Sequence, residues 1–201
     1  MPFNLIITGV GGQGNVLASQ IVGRAAVNRD LRVTIGETFG LSQRGGPVMS
    51  HIRLSRESNC APLIPPNMAH VILGLEPLET LRIMMEYGNE DTIFMVNSRP
   101  IYPLNVIAGD VEYPDTEQIR SVLAESGGRV YWLEATQKAL ELGEPIFLNM
   151  IMLGALGVIP DFLLDIEDFR NALKDIFPES KLEVNFKALD VGARLIEEDE
   201  N

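Results

Sequence analysis

The sequence predicts an α/β domain in which a mostly parallel sheet carries helices on both faces, giving three layers. Apolar runs with strand character alternate along the whole chain with segments whose apolar residues recur at helical spacing. The composition, 46% hydrophobic and 22% charged, is typical of a folded globular protein. Since its 201 residues contain no repeat or linker, we expect one domain over residues 1–201 with a frayed acidic tail at 195–201.

The first half of the chain supplies most of the predicted strands. "FNLIIT", Phe3–Thr8, predicts the first strand, and Asn15–Asn28 follows as a helix. Pro77 and Gly88 suit the start and end of a later helix. The other predicted segments are a strand at 31–36, a strand at 47–55 whose expected place is an edge, an irregular proline-rich segment at 60–67, a strand at 70–75, a helix at 76–88 and a strand at 92–97.

The second half is predicted to be mainly helical. Short strands are expected at 105–109 and 129–135 around a helix at 115–126, and helices at 135–142, 147–158, 166–177 and 184–198. The apolar stretch 145–164 is interrupted by Asn149 and again at Pro160, so it predicts a buried helix rather than a membrane span. A buried Asn needs a partner or a ligand, which makes Asn149 a candidate site residue.

Charge and cysteine content exclude several classes of function. The net charge of -12 argues against nucleic acid and against anionic membranes as partners. A single cysteine, Cys60, excludes an internal disulfide and an iron-sulfur cluster held by this chain alone. His51 and His70 lack metal-ligand spacing and are expected to be structural. The N-terminal residues lack a basic signal region, so a cytoplasmic location is expected.

"TGVGGQGN", Thr8–Asn15, places glycines between a predicted strand and a predicted helix. Backbone N–H groups at such a helix start favour a phosphate. Gly9, Gly11 and Gly14 match G-x-G-x-x-G, and Glu37 stands where a Rossmann-like domain keeps its ribose-binding acid, which taken alone indicates NAD. The alternative is that the glycines only permit a tight turn. An ATP-binding P-loop is excluded, since Asn15 and Val16 replace its lysine and hydroxyl residue.

A second loop, "TFGLSQRGGPV", Thr38–Val48, follows the second predicted strand. Loops after the first two parallel strands leave the sheet at the same edge, so Arg44 is expected to approach the same anion as the glycines. A surface arginine without a ligand is the alternative.

Six segments together resemble the gamma domain of 2-oxoacid:ferredoxin oxidoreductases, most closely that of the indolepyruvate enzymes. They are "GVGGQG", "SQRGGPVMSHIRLS", "PLIPP", "VILGLEPLETLR", "LNMIMLGALG" and "EVNFKALDVG". The similarity runs from Asn4 to about Gly192. It implies a Rossmann-like fold similar to domain III of pyruvate:ferredoxin oxidoreductase.

The resemblance implies a subunit without catalytic residues of its own. Members of this family convert a 2-oxo acid to an acyl-CoA and reduce ferredoxin. Thiamine diphosphate, magnesium and iron-sulfur clusters are expected on a large alpha subunit, and this chain is expected to contact coenzyme A (CoA) within a hetero-oligomer, with a homodimer as the alternative for the isolated chain. The residues that match the CoA contacts are Gly9, Gly11, Gly12, Gln13, Gly14, Gln43, Arg44, Asn149 and Asn185.

Two other hypotheses remain open at this stage. The chain could be a self-standing NAD-binding dehydrogenase or a nucleotide-sensing module, in which Glu37 would bind the ribose. It could also fill the place of the gamma domain without touching CoA.

Overall fold

A six-stranded sheet forms the middle layer, in the order β2-β3-β1-β4-β5-β6. The computed structural model describes residues 2–39, 46–57, 60–102, 104–110 and 112–199. The strands are β1 Phe3–Val10, β2 Arg32–Phe39, β3 Pro47–Ser55, β4 Val71–Gly74, β5 Ile93–Asn97 and β6 Arg129–Leu133. β1, β4, β5 and β6 pair in parallel, so the predicted α/β class with a mostly parallel sheet is confirmed.

β3 runs against its neighbours and lies between β1 and β2. Its expected place at an edge was therefore wrong, and β2 takes that edge. The reason is burial on both faces, because His51, Ile52 and Leu54 are all inaccessible in the middle of this strand. Val48 pairs with both Gly9 and Phe39, so β1 and β2 end on the same side of the sheet.

Helices cover both faces of the sheet. They are α1 Asn15–Asn28, α2 Pro77–Tyr87, α3 Leu104–Ile107, α4 Thr116–Glu125, α5 Ala135–Glu141, α6 Leu148–Leu156, α7 Ile166–Ile176 and α8 Glu179–Asp199, with a 3₁₀ turn at Pro145–Phe147. α1 has the predicted bounds, whereas α8 begins at Glu179 rather than at 184. The strand predicted at 105–109 was wrong. Ile107 is 69% exposed and finds no sheet to pair with, and the Gly109 N–H closes a turn on the Val106 carbonyl.

The strands bury alternate residues in two separate cores. Leu5, Ile7 and Leu73 pack with α1 and with α5 to α8 on one face. Ile6, Ile72 and Phe94 pack with α2 and α4 on the other. Side chains of a strand alternate between faces, and the three predicted layers follow from this pattern.

α6 and α8 cross in direct backbone contact. A Cβ at Gly154 would overlap the Leu189 carbonyl, and a Cβ at Gly192 would overlap the Ile151 carbonyl. All nine residues of α6, Leu148–Leu156, are buried beneath this crossing. Among the described residues no helix has the length and hydropathy needed to cross a membrane. The crossing fixes the start of α6, and thereby Asn149, beside the first glycine-rich turn.

Candidate functional site

A cleft of about 610 Å³ opens at the carboxyl edge of the parallel strands. This edge is where open α/β sheets bind their ligands. Its lining contains polar or glycine residues, which are Gly12, Gln13, Gly14, Arg99, Thr136 and Asn149. It also contains apolar residues, which are Leu17, Ile101, Leu140, Pro145, Ile146 and Leu148. The cleft therefore suits a ligand that has both charged and apolar parts.

The glycine loop, residues 11–14 between β1 and α1, contributes to the cleft together with the start of α1. Gly12 and Gly14 have φ of 106° and 87°, and no side chain caps α1. The Gly11 N–H donates to the Gly46 carbonyl at 2.8 Å, and the Gln13 N–H to the Val10 carbonyl at 3.0 Å. The N–H groups of Gly12 and Gly14 donate to no residue that the structure describes. These donors lie at the positive end of the α1 dipole and are open to an anion.

The Gln13 side chain holds the glycine loop on the sheet. Its Oε1 accepts the Val10 N–H at 2.7 Å, and its Nε2 donates to the Leu75 carbonyl at 2.7 Å. Gly9 leaves room for this arrangement, since a Cβ there would lie 2.6 Å from Gln13 Oε1. Gly9 itself lies within β1. Both polar atoms of the Gln13 side chain are thus engaged within the protein.

Asn149 meets the glycine loop from α6. It is 2% exposed, and its Nδ2 donates to the Gln13 carbonyl at 2.9 Å. Its Oδ1 has no hydrogen-bond partner in the described part of the chain. Because Asn149 lines the cleft, this orphaned oxygen can accept a hydrogen bond from a ligand there. The contact also requires glycine at position 14, where a Cβ would overlap Asn149 Nδ2.

Three further residues expected at the site lie elsewhere or cannot be placed. Asn185 is buried on α8, where its Nδ2 donates to the Lys181 carbonyl at 2.7 Å, and it does not line the cleft. Gln43 and Arg44 lie outside the described residues. The described end of their loop, Gly46, does reach the glycine loop through its carbonyl. The CoA contacts of Gln43, Arg44 and Asn185 stay predictions.

Arg99 is a cleft residue that we did not predict from the sequence. It follows β5, is exposed, and makes no ion pair or hydrogen bond with any described residue. The only indication of Arg99 in the sequence is that it comes shortly after a predicted strand, observed as β5, which ends at Asn97. Glu76, 1% exposed at the start of α2, holds this loop by accepting the Ile101 N–H at 3.3 Å. Tyr113 also donates to Glu76, and burial together with that hydrogen bond raises the pKa of the Tyr113 hydroxyl.

Neither histidine contributes to the cleft. His51 Nδ1 accepts the Ile64 N–H at 3.3 Å, and His70 Nδ1 accepts the Asn4 N–H at 2.9 Å. Burial lowers the pKa of both imidazoles, which favours their neutral forms. Both therefore act as backbone acceptors, as a structural role requires. No group of metal-binding side chains occurs among the described residues.

Glu37 does not take the place of a ribose-binding acid. It lies within β2, and its Oε1 accepts the Ser19 hydroxyl of α1 at 2.9 Å. β3 separates β2 from β1, so Glu37 lies two strands away from the strand that leads into the glycine loop. The geometry that a dinucleotide fingerprint requires is absent around this side chain.

The fold has close structural relatives. The 2-oxoglutarate:ferredoxin oxidoreductase of Magnetococcus marinus, solved with 2-oxoglutarate, coenzyme A and succinyl-CoA bound, matches 98% of this chain with a TM-score of 0.74 and 22% identity. This chain spans only 31% of that longer chain. The pyruvate oxidoreductase subunit PORC of Thermotoga maritima matches with a TM-score of 0.72 and 24% identity over 96% of both chains.

Sequence comparison gives the family. The indolepyruvate oxidoreductase subunit IorB of Pyrococcus horikoshii is 35% identical over 98% of this chain and 96% of its own length. IorB of Methanothermobacter thermautotrophicus is 35% identical over 94% of both chains. These relatives are oxidoreductase subunits, which confirms the predicted resemblance and gives no support to a self-standing NAD dehydrogenase. The sequence model of the pyruvate ferredoxin/flavodoxin oxidoreductase family matches residues 4–195, and the chain therefore belongs to that family.

Proposed function

We propose that this chain is the small subunit of a 2-oxoacid:ferredoxin oxidoreductase that acts on indolepyruvate or another aryl pyruvate. The two IorB relatives, which match this chain over nearly its whole length, support this substrate class. The complete enzyme would decarboxylate the 2-oxo acid oxidatively, transfer the acyl group to CoA and pass the electrons to ferredoxin. This chain alone does not complete that reaction, because its single cysteine cannot hold an iron-sulfur cluster.

The redox and thiamine chemistry belongs to a partner in this proposal. A large alpha subunit would carry thiamine diphosphate, magnesium and the iron-sulfur clusters, and ferredoxin would dock on the assembled complex. The relatives support a hetero-oligomer, since they are subunits of larger enzymes. We expect the assembly to work in the cytoplasm, where ferredoxin operates.

The mixed polar and apolar lining of the cleft is the observation that supports a CoA site on this chain. CoA carries a pyrophosphate and a 3′-phosphate on an otherwise less polar molecule. Anion-binding groups are provided by the N–H groups of Gly12 and Gly14 at the start of α1 and by Arg99, none of which has a partner among the described residues. The apolar lining residues Leu140, Pro145, Ile146 and Leu148 suit the uncharged parts of the molecule. The orphaned Asn149 Oδ1 would accept a hydrogen bond from a CoA amide or hydroxyl group.

This chain contributes binding and orientation. The CoA thiol would accept the acyl group formed on the partner subunit. Arg99 and the glycine loop would fix the phosphate end, so that the thiol end leaves the cleft at a constant position. No residue of the described cleft needs to gain or lose a proton for this role.

Arg99→Ala in the complete complex tests this proposal. We expect the KM for CoA to rise about tenfold or more, because a charge-assisted hydrogen bond contributes about 1.5–3 kcal/mol. The KM for indolepyruvate and kcat at saturating CoA should stay close to the wild-type values. Arg120→Ala removes another exposed arginine, on α4 and away from the cleft, and serves as the control. An Arg99→Ala enzyme with an unchanged KM for CoA would contradict the proposal.

A further inference from the structure

We infer that Gln13 and Asn97 are positioning residues that hold two parts of the cleft lining, the glycine loop and the start of α5, in a fixed arrangement through one shared acceptor, the Leu75 carbonyl. The inference rests on the proposed function in one respect. It takes CoA as the ligand whose affinity depends on the distance between the glycine loop and the start of α5. Neither residue needs to touch CoA through its side chain to have this effect.

Two side-chain amides converge on the Leu75 carbonyl, an arrangement that we call the Leu75 junction. Gln13 Nε2 lies 2.7 Å from the carbonyl oxygen, and Asn97 Nδ2 lies 3.0 Å from it. Leu75 is fully buried directly after β4, and its own N–H donates to the Thr8 carbonyl at 2.8 Å. The acceptor is therefore fixed to the middle of the sheet.

From this junction the two amides reach two different elements that line the cleft. Gln13 belongs to the glycine loop and accepts the Val10 N–H at 2.7 Å. Asn97, 1% exposed at the end of β5, accepts the Thr136 N–H at 3.0 Å and the Thr136 hydroxyl at 3.1 Å. Thr136 lies at the start of α5 and lines the cleft, as Gln13 does. One continuous set of hydrogen bonds thus joins the glycine loop to the start of α5.

The junction requires amides. Each side chain donates to the Leu75 carbonyl and also accepts a hydrogen bond, Gln13 from the Val10 N–H and Asn97 from the Thr136 N–H. An amide can do both in one fixed orientation. An ionised carboxylate keeps the shape and the acceptor but places a negative oxygen against the Leu75 carbonyl. A change from amide to acid therefore disrupts the junction while it alters almost no volume.

Asn97→Asp and Gln13→Glu in the complete complex test the inference. We expect the KM for CoA to rise about tenfold in each variant at pH about 8, with the KM for indolepyruvate changed less than about twofold. Asn89→Asp is the matched control. Its amide also donates to backbone carbonyls, of Asn67 at 3.0 Å and Ala69 at 3.2 Å, but at the opposite edge of the sheet.

A pH profile separates positioning from general loss of structure. A buried aspartate without a cation has a raised pKa, and its protonated form can again donate to Leu75. The KM for CoA of Asn97→Asp should therefore fall towards the wild-type value between pH about 8 and about 6, while that of the wild type stays level. A KM for CoA that remains raised across this range would overturn the inference.

Hydrogen exchange tests the junction without reference to CoA. In Gln13→Glu, a change on the partly exposed glycine loop, the amide of Thr136 at the start of α5 should exchange faster, and the amides near Asn89 should not change. If Arg99→Ala raises the KM for CoA and both junction variants leave it unchanged, the inference fails and the proposed function stands. If no variant changes the KM for CoA but Thr136 exchanges faster, the proposed function fails and the junction stands.

Discussion

The glycine loop and the crossing of α6 and α8 both depend on glycine, but for different physical reasons. Gly12 and Gly14 have positive φ, and their N–H groups, beside an open cleft, find no partner in the part of the chain that the structure describes. Gly154 and Gly192 lie within helices, where the absence of a Cβ lets two backbones touch. A glycine in a motif therefore marks a close approach, and only its surroundings reveal whether a ligand or another helix approaches.

Gly192→Ala should have the largest effect on stability. The new Cβ would overlap the Ile151 carbonyl, and a backbone cannot move aside as a flexible side chain can. We expect the free energy of unfolding to fall by about 3 kcal/mol, measured by urea denaturation. Lys187→Ala, an exposed change in the same helix, should alter it by less than about 0.5 kcal/mol. Equal effects of the two changes would show that the crossing tolerates separation.

Gly14→Ala should have an intermediate effect on stability and a clear effect on CoA. Its φ of 87° disfavours alanine, and the Cβ would overlap Asn149 Nδ2. We expect a loss of about 2 kcal/mol in the free energy of unfolding and a raised KM for CoA. Asn149→Ala should relieve part of the loss in the double variant, because it removes the overlap. A loss of the same size in both backgrounds would assign the effect to φ alone.

Gly12→Ala should have the smallest effect on stability. A Cβ there meets nothing within 4 Å, so only the φ of 106° opposes the change, at a cost of about 1 kcal/mol. The methyl group would nevertheless enter the lining of the cleft, and we expect the KM for CoA to rise severalfold. A Gly12→Ala enzyme that loses stability but keeps its KM for CoA would show that this part of the loop faces no ligand.

The sequence predicts the order of elements better than their arrangement. Apolar periodicity predicted α1 within its observed bounds, and the interrupted apolar stretch singled out Asn149, which does meet the glycine loop. Periodicity does not reveal which strands are neighbours, so β3 was placed at an edge. The four-residue helix α3 was mistaken for a strand because short apolar runs suit either structure.

The candidate site was predictable where a motif carried it. Arg99 belongs to no motif, and its role depends on a loop brought to the cleft by β5. In the Leu75 junction, Gln13 lies 62 positions from Leu75 along the chain and Asn97 lies 22 positions from it. Hydrogen bonds over such separations leave no local pattern in the sequence. Glu37 matched a fingerprint whose meaning depends on strand order, and here β3 lies between its strand and β1. These differences arise from tertiary neighbours, which a single sequence does not display.

The hydrogen bond from Asn149 to the Gln13 carbonyl has a consequence for biosynthesis. It joins residues 136 positions apart, and the lining residues Pro145, Ile146 and Leu148 are synthesised at about the same time as Asn149. Ribosomes add about 5–20 residues per second, so roughly 7–27 s pass between the synthesis of the glycine motif and that of these residues. A nascent chain that stalls before α6 contains the complete glycine motif but lacks Leu148 and Asn149 of the cleft lining.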